Sequence, residues 1–168
     1  MPAARSGNRR LTIRRTGPDG ETTVLHVRGS GNHWTAWSPG GEAGRLIDAD
    51  EVRALVITAA GGLEGNVDVD APPLVIGTEE LRELTAGALE REPQTAVPDS
   101  LRPVLATLRG IADAELTTDD DAQIDAVSWL DGGPAGCWVV EPAEDEHVVL
   151  APGDSGVLIA RLLTALEL

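Results

Sequence analysis

Aspartates form the densest cluster of side chains in this chain that can perform acid–base or metal chemistry. The run Asp119–Asp121 is followed by Asp125. Asp68 and Asp70 alternate with the valines at positions 67 and 69. A calcium loop needs alternating oxygen ligands, a glycine at its sharp turn and a distal glutamate, and the acidic run lacks that order. We therefore interpret it as a connector that starts a helix. Asp68 and Asp70 share a strand face, which allows paired acid–base carboxylates but is also typical of a solvated face.

Cys137 is the single cysteine, and it is a nucleophile only if a histidine lies close to it. The three histidines, His26, His33 and His147, have no metal-ligand spacing among themselves or with Cys137. Cys137 follows a glycine and precedes Trp138, and this position in a strand favours a role as a small, half-buried core residue. We expect no catalytic, cofactor-binding or metal residue and therefore no enzyme, although an enzyme that uses Cys137 or the aspartates is an open alternative. One cysteine forms no internal disulfide, which favours a cytoplasmic protein.

Trp34 and Trp37 are the residues that we expect to contact a partner protein. Residues three apart in a strand point to opposite faces, so one tryptophan faces the core and the other faces solvent or a partner. An exposed tryptophan on a sheet is a typical anchor of a protein interface. Burial of both through a bulge is the alternative.

The composition limits the classes of partner. The chain has 168 residues, with 28 acidic and 13 basic side chains, and its formal net charge of -15 repels nucleic acid and anionic membranes. All the basic residues are arginine, and six of them lie in the first 28 residues. Such a cluster indicates either a nucleic-acid arm or a charged edge strand that resists pairing. No segment has the length of a membrane span.

The pattern of turns predicts a disordered segment at residues 1–9 and a single α+β domain at residues 10–168. Three short strands joined by glycine-containing turns open the domain as a meander, at residues 11–16, 22–28 and 33–37. Three helices follow, with predicted caps at Asp48, Thr78 and Ser100, and a short strand at residues 74–76 precedes the second.

The last forty residues predict more strands and a closing helix. The strands are expected at residues 127–130, 137–140 and 147–150, and Asp154 caps an amphipathic helix. Trp129 and Trp138 flank the turn, which allows them to pair across the two strands in the core of the sheet. Together the elements predict an antiparallel sheet from N- and C-terminal strands with helices packed against it.

This C-terminal segment resembles the end of the EspG family, the cytosolic chaperones of type VII secretion. The similarity lies in Val127–Asp131, Gly136–Val140 and His147–Asp154 with the leucine-rich helix, and Pro72–Leu84 is similar to a strand and helix of that family. Family members are longer and consist of two similar halves, whereas this chain is about one half. The resemblance implies a non-enzymatic adaptor that dimerises to rebuild the two-half body.

We therefore expect a cytosolic chaperone or adaptor that binds another protein, such as a type VII secretion substrate. The alternative is an acidic immunity or antitoxin-like protein that neutralises a basic enzyme. We also predict a homodimer through a sheet edge or through Leu158, Leu162 and Leu166 of the broad apolar C-terminal helix. The competing interpretation is that this helix is buried between the sheet and the helix capped by Ser100, which needs no partner.

Overall fold

The structure is a computed structural model that describes residues 8–30, 32–39, 44–62, 70–93 and 96–166. Four consecutive strands and a helix open the chain: β1 (Arg9–Thr16), β2 (Thr22–Ser30), β3 (His33–Trp37), β4 (Arg45–Ile47) and α1 (Ala49–Ala59). A linking segment follows, with β5 (Leu74–Gly77), α2 (Thr78–Leu89) and α3 (Arg102–Ala106). Four more strands and a helix complete the chain: β6 (Gly110–Thr118), β7 (Gln123–Asp131), β8 (Cys137–Pro142), β9 (His147–Gly153) and α4 (Ser155–Ala165). We call β1–α1 the first half and β6–α4 the second half.

The nine strands of the described residues form one sheet, and every neighbouring pair is antiparallel. The strand order is β4-β3-β2-β1-β6-β7-β8-β9-β5. The two halves therefore meet where β1 pairs with β6, from Arg9 opposite Thr118 to Thr16 opposite Ile111. Because both halves run outward from this junction with the same order of elements, a two-fold rotation normal to the sheet relates their topologies.

Alternation along the strands gives the sheet two different faces. On β1, Leu11 and Ile13 point to the face covered by α1 and α4, whereas Thr12 and Arg14 point to the other face. We call these the α1/α4 face and the α2/α3 face. The first is a continuous core in which Val52 of α1 is fully buried; its strand members include Leu11, Ile13, Val27, Ala114, Val127 and Trp129.

The α2/α3 face is apolar only in the second half and the adjoining strand β5. Its core contains buried residues from the strands and from the two helices: Ile76, Leu81, Leu89, Leu101, Val104, Leu105, Leu108, Leu130, Trp138 and Leu150. Helix α2 accordingly contacts β5 and α3. Trp129 and Trp138 are both buried but lie on opposite faces, because Trp138 pairs with Leu130 rather than with Trp129.

Local signals place the longer helices. Asp48 accepts a hydrogen bond from the Glu51 backbone N–H at 2.8 Å, and the Glu51 carboxylate accepts one from the Asp48 N–H, which completes the predicted capping box of α1. Asp154 caps α4 as predicted by accepting a hydrogen bond from the Val157 N–H at 3.0 Å. Thr78, in contrast, is the first residue of α2 and follows the cap residue Gly77.

The α+β class and the antiparallel sheet from both ends of the chain are confirmed. The sequence pattern missed β4 and β6, and the run 119–121 lies in the turn between β6 and β7, not at a helix start. Of the segment predicted as disordered, residues 1–7 lie outside the described residues, and Arg9 begins β1. No helix in the described residues is long and apolar enough to cross a membrane.

Candidate binding surfaces

Cys137 is buried and has no histidine beside it in the strand pairing. Its thiol donates a hydrogen bond to the Gly153 carbonyl oxygen at 3.3 Å, and β8 residue 137 lies between Asp131 and Gly153. Burial, together with the charges of Asp131 and Asp154, raises the pKa of this thiol to about 11. A neutral, buried thiol is a poor nucleophile, so the geometry favours a core role for Cys137.

The predicted carboxylates are held in ion pairs rather than in a joint site. Asp119 pairs with Arg28 at 2.9 Å, and Asp121 pairs with Arg10. Asp125 accepts two hydrogen bonds from Arg161 of α4, at 2.7 and 3.0 Å, and the bonded guanidinium lowers the pKa of that carboxyl. These pairs tie the β6–β7 hairpin to β1, β2 and α4.

The other candidate ligands are not brought together either. Asp70 is exposed, whereas Asp68 lies outside the described residues, so the structure does not describe that pair. His26 pairs across strands with Trp37, His33 with Ser30, and His147 with Gly77 at the opposite edge of the sheet. Within the described part of the chain, no three metal-ligating side chains form a group that suits a metal ion.

Asp131 is a buried carboxylate that the sequence pattern did not single out as a candidate site residue, because an aspartate before two glycines indicates a turn. Its carboxylate is 1% exposed and accepts hydrogen bonds from Arg15 at 2.9 Å, from Arg109 at 3.4 Å and from the Gly133 N–H at 3.0 Å. Because Arg15 belongs to β1 and Asp131 to β7, this cluster joins the two halves. Its acceptors are already used, which indicates a structural role.

Trp34 and Trp37 face opposite sides of the sheet, in agreement with the period of a strand. Trp34 packs against the α1/α4 core, and its indole lies beside Gly29. Trp37 lies on the α2/α3 face and stacks on His26, with ring centroids 5.2 Å apart and an angle of 23° between the planes. Trp37 is therefore the tryptophan that a partner can reach.

A hydrogen bond orders this aromatic pair. His26 Nδ1 lies 2.9 Å from the Thr12 hydroxyl oxygen on the neighbouring strand. Burial lowers the pKa of His26, and the charges of Arg10 and Arg14 lower it further. The imidazole that supports Trp37 is therefore neutral at physiological pH.

Around the pair lies a polar surface on the first half of the α2/α3 face. We call it the open face and define it by Arg14, His26, Arg28, Thr35 and Trp37, together with the buried Thr12. Helices α2 and α3 pack over the second half, and α1 and α4 cover the other side of the sheet. Arg14 pairs across strands with Asp113 at 3.1 Å, and Arg28 pairs with Asp119 of the β6–β7 turn at 2.9 Å, so charges of both signs frame the aromatic pair.

The leucines predicted to form a dimer contact are buried in their own chain. Leu158, Leu162 and Leu166 are each 3% exposed and pack on the α1/α4 core, so the helix is buried in its own chain, but beside α1 and not against the helix predicted to begin at Ser100. Their side chains are therefore not exposed to a second copy. Val157, on the outer side of α4, is 67% exposed.

No family model matches this chain, and no curated protein matches it. The resemblance to the EspG family therefore stays a prediction that depends on the residues quoted above.

Proposed function

We propose that this protein is a non-enzymatic, cytosolic chaperone or adaptor that binds another protein through the open face. The observation that carries the proposal is the Trp37–His26 stack on a sheet face that, among the described residues, helices cover in the second half and not in the first. A rigid aromatic side chain with a supporting neighbour loses little conformational entropy on binding, and tryptophan is enriched in the residues that dominate interface energies.

The charges of the open face favour a protein over a nucleic acid. Arg14 and Arg28 already pair with carboxylates, so few positive charges remain to neutralise phosphates. The whole chain carries a net charge of -15. A mosaic of both signs around an aromatic centre is instead the arrangement of a protein interface with a polar rim.

The two-half topology supports a chaperone related to the EspG family. The resemblance implied that this chain is one half of a two-half body, whereas the topology already repeats within the chain, across the pairing of β1 with β6. A type VII secretion substrate is accordingly our proposed partner class. A homodimer is not needed to assemble two halves, and it stays a separate prediction.

The acidic immunity or antitoxin-like function is the second candidate, because the net charge of -15 would attract a basic enzyme. The two functions differ in their response to salt. Association driven by long-range charge slows steeply as salt is raised, whereas association through the aromatic pair changes little.

Affinity capture from the native host, followed by calorimetry with the captured protein, tests the proposal. We expect Trp37→Ala to weaken binding at least about 30-fold, which corresponds to about 2 kcal/mol, because an interface anchor is removed. Val157→Ala removes a more exposed apolar side chain from α4, away from the open face, and should change Kd less than about 2-fold. Equal binding by wild type and Trp37→Ala would refute the proposed surface.

A further inference from the structure

A cavity of about 390 Å³ opens between the end of α2, helix α3 and the turn that joins β1 to β2. Apolar side chains form much of its lining: Pro18, Ala88, Leu89, Val97, Leu105 and Leu108. A second cavity of about 340 Å³ shares Pro18 and Leu89 with it and continues along α2 towards Thr85 and Ile111. The two together form an elongated groove, and each has the volume of a site for a small group rather than for a whole helix.

The charged residues that line the first cavity are mostly basic, which is unusual in so acidic a chain. They are Arg91, Arg102 and Arg109, with Glu92 as the acidic member among the described residues. Arg109 is held by Asp131, and Arg102 pairs with the exposed Asp99 at 3.1 Å. Arg91 forms no ion pair within the described part of the chain, so its charge is available to a ligand.

The backbone at Arg91 adopts a conformation that favours glycine. Helix α2 ends in a Schellman motif, in which the Glu92 N–H donates to the Gly87 carbonyl at 2.8 Å and the Arg91 N–H to Ala88 at 3.1 Å. Helix α1 ends in the same motif, with Gly61 at the equivalent position. Gly61 has a φ of 106° and Arg91 one of 58°. Glycine adopts this left-handed region freely, whereas arginine is strained there.

We propose that this groove binds a linear segment of a partner protein in which an apolar side chain stands next to a carboxylate. The apolar side chain enters the cavity between Leu89, Val97 and Leu105, and the carboxylate pairs with Arg91 at the rim. Arginine matches a carboxylate with two parallel hydrogen bonds, which fixes the orientation of the segment. The proposal rests on the proposed protein-binding function and adds a second contact, because Arg91 and Trp37 belong to different surfaces.

Charge complementarity argues against other occupants of the groove. A basic segment would meet Arg91 and Arg102 at the rim, and a second copy of this chain would bring a net charge of -15 with it. A short segment with one carboxylate beside an apolar side chain places its negative charge next to the arginines and adds no other charge that this acidic chain would repel.

The test uses a random dodecapeptide library selected against the full chain. We expect enrichment of peptides with leucine, isoleucine, valine or phenylalanine next to aspartate or glutamate. The enriched peptide should bind Arg91→Gly at least about 10-fold more weakly, since one charge-assisted pair is lost. The thermal unfolding midpoint of Arg91→Gly should rise at the same time, because glycine relieves the strain. Loss of folding therefore cannot explain loss of binding.

Arg102→Gln and Arg53→Gln form a matched pair of controls. Each removes an arginine that pairs with an aspartate three residues earlier, at 3.1 Å for Arg102 and 3.0 Å for Arg53. Only Arg102 lines the groove, so only its substitution should weaken the peptide. A selection without an acidic–apolar consensus, or equal peptide binding by Arg91→Gly and wild type, would overturn the proposal. If binding of the native partner is weakened by Trp37→Ala but not by Arg91→Gly, the groove is not a contact for that partner, and the proposed function still stands.

Discussion

The two halves of the sheet have the same topology and opposite chemistry on the α2/α3 face. In the first half this face presents Trp37, His26 and Thr12 in one cross-strand row. In the second half it presents Leu130 opposite Trp138, both buried beneath α2 and α3. Strand order and helix placement therefore do not determine what a sheet face does. The alternate residues of each strand determine it, and here they give one half a core and the other a surface.

The contrast extends to two adjacent arginines on β1, the strand that joins the halves. Arg14 points to the open face and pairs with Asp113, where both side chains are nearly half exposed. Arg15 points to the other face and pairs with Asp131, which is 1% exposed. Two ion pairs of almost equal length, 3.1 and 2.9 Å, thus lie in very different environments.

We expect the largest effect from Asp131→Ala. This substitution leaves Arg15 and Arg109 without their shared carboxylate, and breaking a buried ion pair costs about 3–5 kcal/mol of unfolding free energy. Asp113→Ala is the matched variant on the open face and should cost less than about 1 kcal/mol. Urea denaturation of both variants measures the difference. Equal destabilisation would mean that burial does not separate the two pairs.

Cys137 gives the second half its own response to alkaline pH. Its pKa is raised from an ordinary 9.0 to about 11, so the folded state holds the thiol proton more tightly than the unfolded state. This contribution is fully present below pH 9 and is lost as the pH rises to about 11, on the order of 2 kcal/mol. The chain contains no lysine and no tyrosine, so few other groups titrate there. In urea denaturation, the free energy of unfolding of Cys137→Ala should fall less between pH 9 and pH 11 than that of the wild type. An equal fall in both proteins would show that Cys137 does not cause the pH dependence.

His26 provides the smallest and most local measurement, on the open face of the first half. Its pKa is lowered from 6.5 by burial and by Arg10 and Arg14, so the folded state favours the neutral ring. The stability that this ring contributes is present above pH 6.5 and is lost as the pH falls through its lowered pKa. NMR titration should give a midpoint below 6.5, and Arg14→Gln should move it upwards. A wild-type midpoint at or above 6.5 would mean that the ring is not packed against Trp37.

The elements with strong local signals could be predicted from the sequence. The capping box of Asp48 and Glu51 places α1, and the turn after Asp131 separates two strands rich in valine and tryptophan. These signals depend on neighbours within a few residues, so no tertiary information is needed to recognise them.

The features that depend on distant residues could not be predicted in the same way. Strand β6 is central, yet it contains Ala112 and Ala114, which have low β-propensity, and its partner β1 lies far away in the chain. Asp131 is buried only because Arg15 and Arg109 reach it from other elements. For the candidate site, strand period correctly separated Trp34 from Trp37, but the stacking of His26 required the pairing of β2 with β3.

The pairing of β1 with β6 has a consequence for how the chain folds. Arg14 and Asp113 face each other across this junction although 99 residues separate them. Closing a loop of about 100 residues costs about 2 kcal/mol more conformational entropy than closing one of about 10 residues. The hairpins within each half are local and form early, whereas the central seam closes late. During synthesis, strands β1–β4 therefore leave the ribosome before β6 is made, and one edge of β1 stays unpaired until β6 is available.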